Sequence, residues 1–195
     1  ACLYACPLLT CTILLRRQWL ESLDHGFDTT MDRAEDTDLW IRLLVAGCSM
    51  DWTPHIVSAY RWHPGSSQQD GERYYRAYLA LLNRLYARSD LPTDVRAEQP
   101  ALYAHYHVLG ACYAYSAGQV QTGQDRLLQA AALQPKILHG SPPSILATIA
   151  RAAQEDGVAD SAGLVEALFS ALPPQLTQLR PYRRYTLSAL HMQRV

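Results

Sequence analysis

The helical spacing of apolar residues through the larger, C-terminal part of the sequence limits the fold more than any other feature. Asp70 is a good N-cap for a helix over Gly71–Ser89, in which Tyr75, Leu82 and Tyr86 recur at helical spacing. The same pattern predicts further helices at Pro100–Ala117, Thr122–Leu133, Pro142–Asp156, Ser161–Leu172 and Tyr182–Arg194. Because no segment after residue 70 predicts a strand, we expect this part to fold as helices alone.

Short apolar runs in the first part of the chain predict strands instead. Thr10–Leu15 is such a run, and it ends abruptly at a pair of arginines. Met50–Arg61 predicts one or two strands, with an interruption at Pro54 because proline cannot donate to a strand ladder. A short helix is predicted over Arg17–Leu23. The sequence therefore predicts an α+β fold that is predominantly helical.

A longer helix with an acidic start is predicted between these strands, over Met31–Leu44. Leu39 and Leu43 are four residues apart and share a face, and Gly47 follows the end, where a helix cap belongs. The acidic residues at the start are Asp32, Glu35, Asp36 and Asp38. Carboxylates favour the positive end of the helix dipole, so a structural role and a catalytic role are both open at this point.

The first third of the chain contains four short motifs that bear on both fold and function. They are Thr12–Arg17, Gly26-Phe27-Asp28, Glu35-Asp36-x-Asp38-Leu39-Trp40-x-Arg42, and Tyr60-Arg61-x-His63. In this order and spacing they resemble the C-terminal half of a family-2 glycosyltransferase domain of the GT-A type. The resemblance implies a partial GT-A nucleotide-diphospho-sugar transferase fold over residues 1–69. Residues 70–99 would then be a connecting helix and linker, and residues 100–195 a helical extension.

The resemblance also implies an activity, the inverting transfer of a sugar from a nucleotide-diphosphate sugar to a hydroxyl of a carbohydrate or lipid-linked acceptor. Asp36 would be the general base that takes the hydroxyl proton, and Glu35 would orient or bind the acceptor. His25, Gly26 and Asp28 would form a substrate-binding turn near the acceptor. His25 stands where the family usually has a further glycine, so its side chain could contact the acceptor or merely fill space.

The leaving nucleoside diphosphate would need a divalent cation, Mn²⁺ or Mg²⁺, in the full-length enzyme. The family usually binds this cation through a DxD motif on an upstream strand, which the sequence lacks, so we expect the fragment to lose the metal and to be inactive alone. His63 would complete the metal shell or contact the diphosphate, or else is an exposed loop histidine. Arg61 would pair with the diphosphate or with a carboxylate such as Asp38. Processive synthases have a Gln-x-x-Arg-Trp motif near this strand; Ser58 replaces its glutamine, which implies a non-processive enzyme.

The helical part carries a second resemblance. Its pattern is Tyr106-x-x-Leu109-Gly110-x-x-Tyr113, followed by Gly118, Leu127, Ala130 and Pro135. This pattern is similar to one tetratricopeptide (TPR) unit, in which small Gly110 and Ala130 would let two antiparallel helices approach. A helical bundle with coincidental spacing is the other interpretation. Because such helices can bind a protein partner, a non-catalytic helical protein-interaction module is the alternative function.

The net charge, the cysteines and the N-terminal stretch limit the kinds of binding partner and the cellular location that we expect for the protein. A net charge of −1 gives no electrostatic argument for binding nucleic acid or an anionic membrane surface. The five cysteines include no Cys-x-x-Cys pair and favour a reducing compartment. The apolar N-terminal stretch contains Pro7, is too short to span a bilayer, and lacks an initiator methionine. We therefore predict a fragment of a larger cytoplasmic protein, at most peripheral to the inner face of the membrane.

Overall fold

The computed structural model describes residues 3–4, 6, 8–59, 70–154, 158 and 160–192. These residues form nine α-helices. The helices are α1 (Arg17–Glu21), α2 (Glu35–Val45), α3 (Gly71–Ala87), α4 (Thr93–Ala97), α5 (Gln99–Ser116), α6 (Val120–Leu133), α7 (Ile145–Ala152), α8 (Ser161–Ser170) and α9 (Arg183–Met192). Shorter 3₁₀ segments occur at Thr10–Thr12, Pro135–Leu138 and Pro174–Tyr182.

Helix α5 is the centre of the hydrophobic core. Its apolar and small residues surround the whole helix axis, which is typical of a helix buried on all sides. Helices α3, α6, α7 and α8 all pack against it. Leu102, Tyr106 and Leu109 of α5 are each no more than 2% exposed. The helices after residue 70 therefore share one core built around α5.

A tight turn joins α5 to α6 and makes the two helices antiparallel. The N–H of Gly118 donates to the Tyr115 carbonyl at 3.0 Å, and the N–H of Gln119 donates to the Ala114 carbonyl at 2.8 Å. These two bonds close a Schellman motif, which needs the left-handed backbone that Gly118 adopts at φ +72°. The chain reverses here because the last carbonyls of α5 are satisfied within the turn itself.

The close approach between α5 and α6 is made by Gly123. A side chain at this position on α6 would overlap the ring of Tyr115 on α5. Gly110 was predicted to have that role, but it faces Tyr75 of α3 instead. Ala130 is fully buried in the core, as a small residue at a helix contact should be. Spacing along one helix cannot tell which neighbour a glycine faces.

Helix α2 lies between two apolar clusters. Ile41 belongs to the main core with the helices after residue 70. Leu39, Trp40 and Leu43 form a second, smaller cluster with Leu8, and side chains from the segment before α2 pack around them. The apolar residues of α2 are therefore buried in these two clusters, and this burial fixes the position of the acidic residues at the start of the helix.

The predicted α+β class and partial GT-A sheet are wrong for the described residues, which contain no β-strand. Thr10–Leu15 is a 3₁₀ turn followed by an unpaired extended segment, and Leu14 is 100% exposed. The described part of Met50–Arg61, residues 50–59, has no regular structure, and Ile56 is 98% exposed. A single strand without a partner leaves its backbone groups unpaired, so an apolar run alone does not make a strand. The one bridge found among the described residues joins Gly140 to Pro143 in a loop.

The helices predicted after residue 70 are confirmed, with their ends shifted by a few residues. The short helix α4 and the 3₁₀ segments were not predicted. Helix α3, which the sequence placed in a connecting segment, contributes Tyr75, Leu81 and Leu82 to the same core as α5. The division of the chain at residues 69 and 99 stays a prediction.

None of the described helices combines the length and the apolar character that crossing a membrane requires.

Candidate functional site

The acidic start of α2 is the candidate site, and an unusual backbone conformation leads into it. Ala34 precedes the helix at φ 61°, in the left-handed region that a non-glycine residue adopts at a cost of about 1–2 kcal/mol. Its carbonyl accepts the first helical bond, from the N–H of Asp38 at 2.9 Å. Ala34 is buried in the main core, which holds this conformation. The backbone of Ala34 therefore sets the direction in which α2, with Glu35 and Asp36 in its first turn, continues from the preceding segment.

The Asp36 carboxylate is held by neutral donors. Its Oδ1 accepts from the Thr37 N–H at 2.6 Å, and its Oδ2 accepts from the Thr10 hydroxyl at 3.4 Å. The Thr37 hydroxyl in turn lies 3.2 Å from the Tyr78 hydroxyl of α3. Asp36 is half-buried and forms no salt bridge with another described residue. Glu35, beside it, is exposed to solvent.

Arg42 attaches the turn at residues 25–26 to α2. Its Nε donates to Asp38 at 2.7 Å, one helical turn away, and the two side chains form an ion pair. Its two terminal nitrogens donate to the carbonyls of His25 at 2.7 Å and Gly26 at 2.5 Å. The side chains of Arg42 and Asp38 are only 11% and 13% exposed. The structure therefore brings together two of the sequence motifs, the acidic helix and the glycine turn.

Asp28 ties the same turn to α3. Its Oδ1 accepts from the N–H of Thr30 at 2.8 Å and from the Thr30 hydroxyl at 2.6 Å, and its Oδ2 pairs with Arg84. The hydrogen bonds from Thr30, reinforced by Arg84, lower the pKa of Asp28 to about 2. Both carboxylate oxygens are thus engaged within the protein. The predicted contact of Asp28 with substrate stays a prediction.

The remaining predicted site residues are placed as follows. The His25 side chain is exposed, and its carbonyl is the group that contacts α2. A side chain added at Gly26 would meet nothing within 4 Å, so packing does not require a glycine there. Arg61 and His63 lie outside the described residues. Their predicted contacts with diphosphate and metal stay predictions.

The described residues around α2 do not fit a divalent metal. No group of three or more His, Cys, Asp or Glu side chains able to hold an ion occurs in the part of the chain that the structure describes. Asp36 and Asp38, which bracket Thr37, engage different partners, Thr10 and Arg42 respectively. The described residues of this surface therefore lack the donor set that a metal-bound diphosphate would need.

An arginine-lined cavity of about 540 Å³ opens beside the start of α2. Arg73 pairs with Asp32 across it, and Arg84 pairs with Asp28. Arg33, two residues before the helix, also lines it, and its Nε is buried without a hydrogen-bond partner among the described residues. Sequence reasoning missed these arginines because they come from two segments far apart in the chain. It missed Thr10 because that residue was assigned to a strand.

Comparisons with models of protein families, with curated proteins and with solved structures found no match.

Proposed function

We propose that the surface around the start of α2 is the acceptor side of a sugar-transfer site. The reaction is the transfer of a sugar from a nucleotide-diphosphate sugar to an acceptor hydroxyl, with inversion, one sugar at a time. Asp36 is the general base, and Glu35 beside it orients the acceptor. The proposal rests on this local arrangement and the motifs that carry the resemblance. It does not rest on a GT-A sheet, which the described residues lack.

The observation that carries the proposal is the way in which the Asp36 carboxylate is held. Thr10 and Thr37 donate to its two oxygens, and no cationic side chain among the described residues neutralises it. A carboxylate oxygen has more lone pairs than these bonds use, so one remains for the proton of an incoming hydroxyl.

The proposed reaction is a base-assisted displacement at the anomeric carbon of the donor sugar. An acceptor hydroxyl within hydrogen-bond reach of Asp36 loses its proton to the carboxylate as its oxygen attacks the anomeric carbon. The bond from that carbon to the nucleoside diphosphate breaks with both electrons going to the departing phosphate oxygen. A positioned general base contributes about 10²–10⁴-fold to such a rate. The turn at residues 25–26, fixed by Arg42, borders the acceptor.

The test is a transfer assay with the protein at its natural length, comparing the wild type with Asp36→Asn. Released nucleoside diphosphate is measured with a panel of nucleotide sugars and hydroxyl acceptors. Loss of turnover in a variant with an unchanged circular-dichroism spectrum and melting temperature supports the assignment. Near-normal turnover contradicts it.

A second candidate, a non-catalytic interaction module, is favoured by a different observation. Trp52, Ile56 and Val57 are 71%, 98% and 59% exposed, although all three are large and apolar. Exposed apolar side chains that cluster in one segment are typical of surfaces that bind another protein. On this interpretation Trp52→Ser with Ile56→Ser abolishes capture of a protein partner, and Asp36→Asn has no effect on that capture or on any turnover.

A further inference from the structure

Two buried hydroxyl groups connect the Asp36 carboxylate to helix α3. The Thr37 hydroxyl lies 3.3 Å from Asp36 Oδ1 and 3.2 Å from the Tyr78 hydroxyl of α3. Thr37 is 2% exposed and Tyr78 is 8% exposed, so water competes little for either hydroxyl. A chain of three polar groups therefore runs from α3, through the first turn of α2, to the half-buried carboxylate.

The number of protons fixes the direction of this chain. A general base must be ionised, and an ionised carboxylate can only accept hydrogen bonds. The one proton of the Thr37 hydroxyl is therefore donated to Asp36, and the Thr37 oxygen accepts from Tyr78. Burial raises the pKa of the Tyr78 phenol, although hydrogen bonds with Thr37 and Tyr74 oppose that rise, so Tyr78 keeps the proton that it donates.

The two oxygens of Asp36 are held unequally. Oδ1 accepts from both the N–H of Thr37, at 2.6 Å, and the Thr37 hydroxyl. The described partner of Oδ2 is the Thr10 hydroxyl, at the longer distance of 3.4 Å. Oδ2 therefore has the greater capacity left to accept a proton from outside the protein.

The hydroxyl bond to Oδ1 depends on the side-chain rotamer of Thr37. A threonine in a helix divides between two rotamers, because its hydroxyl can also bond a backbone carbonyl of the preceding turn. The Tyr78 hydroxyl, 41 positions away in the chain, favours the rotamer that also reaches Asp36. Tyr78 is fixed in turn, because its ring stacks on that of Tyr106 of α5 with the centroids 4.8 Å apart.

We propose that Tyr78 is a positioning residue for the general base. Through the Thr37 hydroxyl it holds Asp36 Oδ1 within the protein and leaves Oδ2 as the oxygen that takes the acceptor proton. Tyr78 itself is buried and contacts neither substrate. This inference deepens the proposed function and rests on it, because it assigns the proton to one atom of the proposed base.

The first test compares Tyr78→Phe with Tyr86→Phe in the transfer assay. Both phenols lie on α3, are 8% exposed and form a bond at 3.2 Å, but Tyr86 donates to the Val95 carbonyl of α4. Tyr78→Phe keeps the stacked ring and is expected to lower kcat about tenfold without raising the donor KM, because the base is displaced only for the chemical step. Tyr86→Phe should leave kcat unchanged. Equal kcat in the two variants overturns the proposal.

The second test changes Thr37, the residue between Tyr78 and Asp36. Thr37→Ser keeps the hydroxyl and should retain most of the wild-type kcat. Thr37→Val keeps the shape of the side chain but removes the hydroxyl, and should lower kcat at least as much as Tyr78→Phe. If Thr37 served packing alone, Thr37→Val would be the milder change. A higher kcat in Thr37→Val than in Thr37→Ser would therefore contradict the chain of hydroxyls.

A measurement without substrate separates this inference from the proposed function. The ¹³C NMR signal of the Asp36 carboxyl carbon responds to hydrogen bonds on its oxygens. Tyr78→Phe and Thr37→Val are expected to move this signal, and Tyr86→Phe is not. Near-normal turnover in Asp36→Asn contradicts the proposed function and this inference together. If Asp36→Asn abolishes turnover and Tyr78→Phe changes neither the signal nor kcat, this inference alone is wrong.

Discussion

The ring of Tyr75 on α3 occupies the space that a side chain at Gly110 on α5 would fill. Arg126 of α6 lies over the same ring, with its guanidinium carbon 4.0 Å from the ring centroid, and donates to the Gly110 carbonyl at 2.8 Å. It also pairs with Glu72 of α3 at 2.8 Å. One tyrosine ring and one guanidinium thus fix three helices against each other.

We expect Gly110→Ala to destabilise the protein. The new methyl group overlaps the Tyr75 ring, and overpacking of this kind costs about 1–3 kcal/mol. The better helix propensity of alanine returns about 1 kcal/mol. The expected net loss in the free energy of unfolding is therefore up to about 2 kcal/mol, and urea denaturation measures it.

Gly26→Ala is the matched control for that change. Nothing lies within 4 Å of a side chain at Gly26, so its unfolding free energy should change by less than about 0.5 kcal/mol. Combining Gly110→Ala with Tyr75→Leu should cost less than the sum of the single changes, because the smaller side chain frees the space. Strict additivity would show that the two residues do not share this contact.

The acid dependence of stability is expected to involve Asp28. Hydrogen bonds from Thr30, with Arg84, lower its pKa to about 2 from the ordinary 3.8. The stability it contributes is therefore complete above pH 3.8 and is lost as the pH falls toward 2. Asp28→Asn should flatten the unfolding free energy in this window. Asp94→Asn, an exposed acid without a hydrogen bond or salt bridge to a described residue, is the control and should preserve the wild-type slope.

The unfolding free energy is also expected to depend on pH through His105, in a higher pH range than through Asp28. Burial, with a smaller contribution from Arg151, lowers its pKa to about 4 from the ordinary 6.5, so folding opposes its protonation. The unfolding free energy should decrease as the pH falls from 6.5 toward 4. An NMR titration should give a midpoint near pH 4 for the His105 ring. A midpoint above 6 for His105 would contradict its burial beside Arg151.

The helices were predictable because their signals are local. Asp70 accepts from the Arg73 N–H at 3.0 Å as the N-cap that the sequence indicated. Gly47 ends α2 at φ +89° in a Schellman motif, also as predicted. Each of these signals depends only on residues within one turn of the helix end. Local chemistry was therefore enough to place most helix boundaries within a few residues.

The strands and the contacts of the site were not predictable in the same way. A strand needs a partner, and the apolar runs that contain Leu14 and Ile56 have none among the described residues. The bond from Thr10 to Asp36 joins residues that are 26 positions apart, and no spacing rule connects them. The two carbonyl contacts of Arg42 were also missed, because a side chain's backbone partners do not depend on the type of the partner residue.

Arg42 is expected to act as a positioning residue for the turn. Arg42→Lys keeps a positive charge near Asp38 but cannot donate to the carbonyls of both His25 and Gly26 with the same planar geometry. Hydrogen exchange at the amides of residues 25–28 should become faster, and exchange within α5 should not change. If the proposed function is right, Arg42→Lys lowers kcat/KM for the acceptor. The KM for the donor rises by a smaller factor, because the turn borders the acceptor. Unchanged exchange in the turn would contradict this role.

The most direct measurement of the central claim compares Asp36→Asn with Asp51→Asn in the transfer assay. The two acids are well matched, because Asp51 also accepts the N–H of the next residue, at 2.8 Å, but lies on an exposed segment outside the site. We expect Asp36→Asn to lower kcat by about 10²–10⁴-fold with little change in donor KM, and Asp51→Asn to leave both unchanged. Equal turnover in the two variants would contradict Asp36 as the general base.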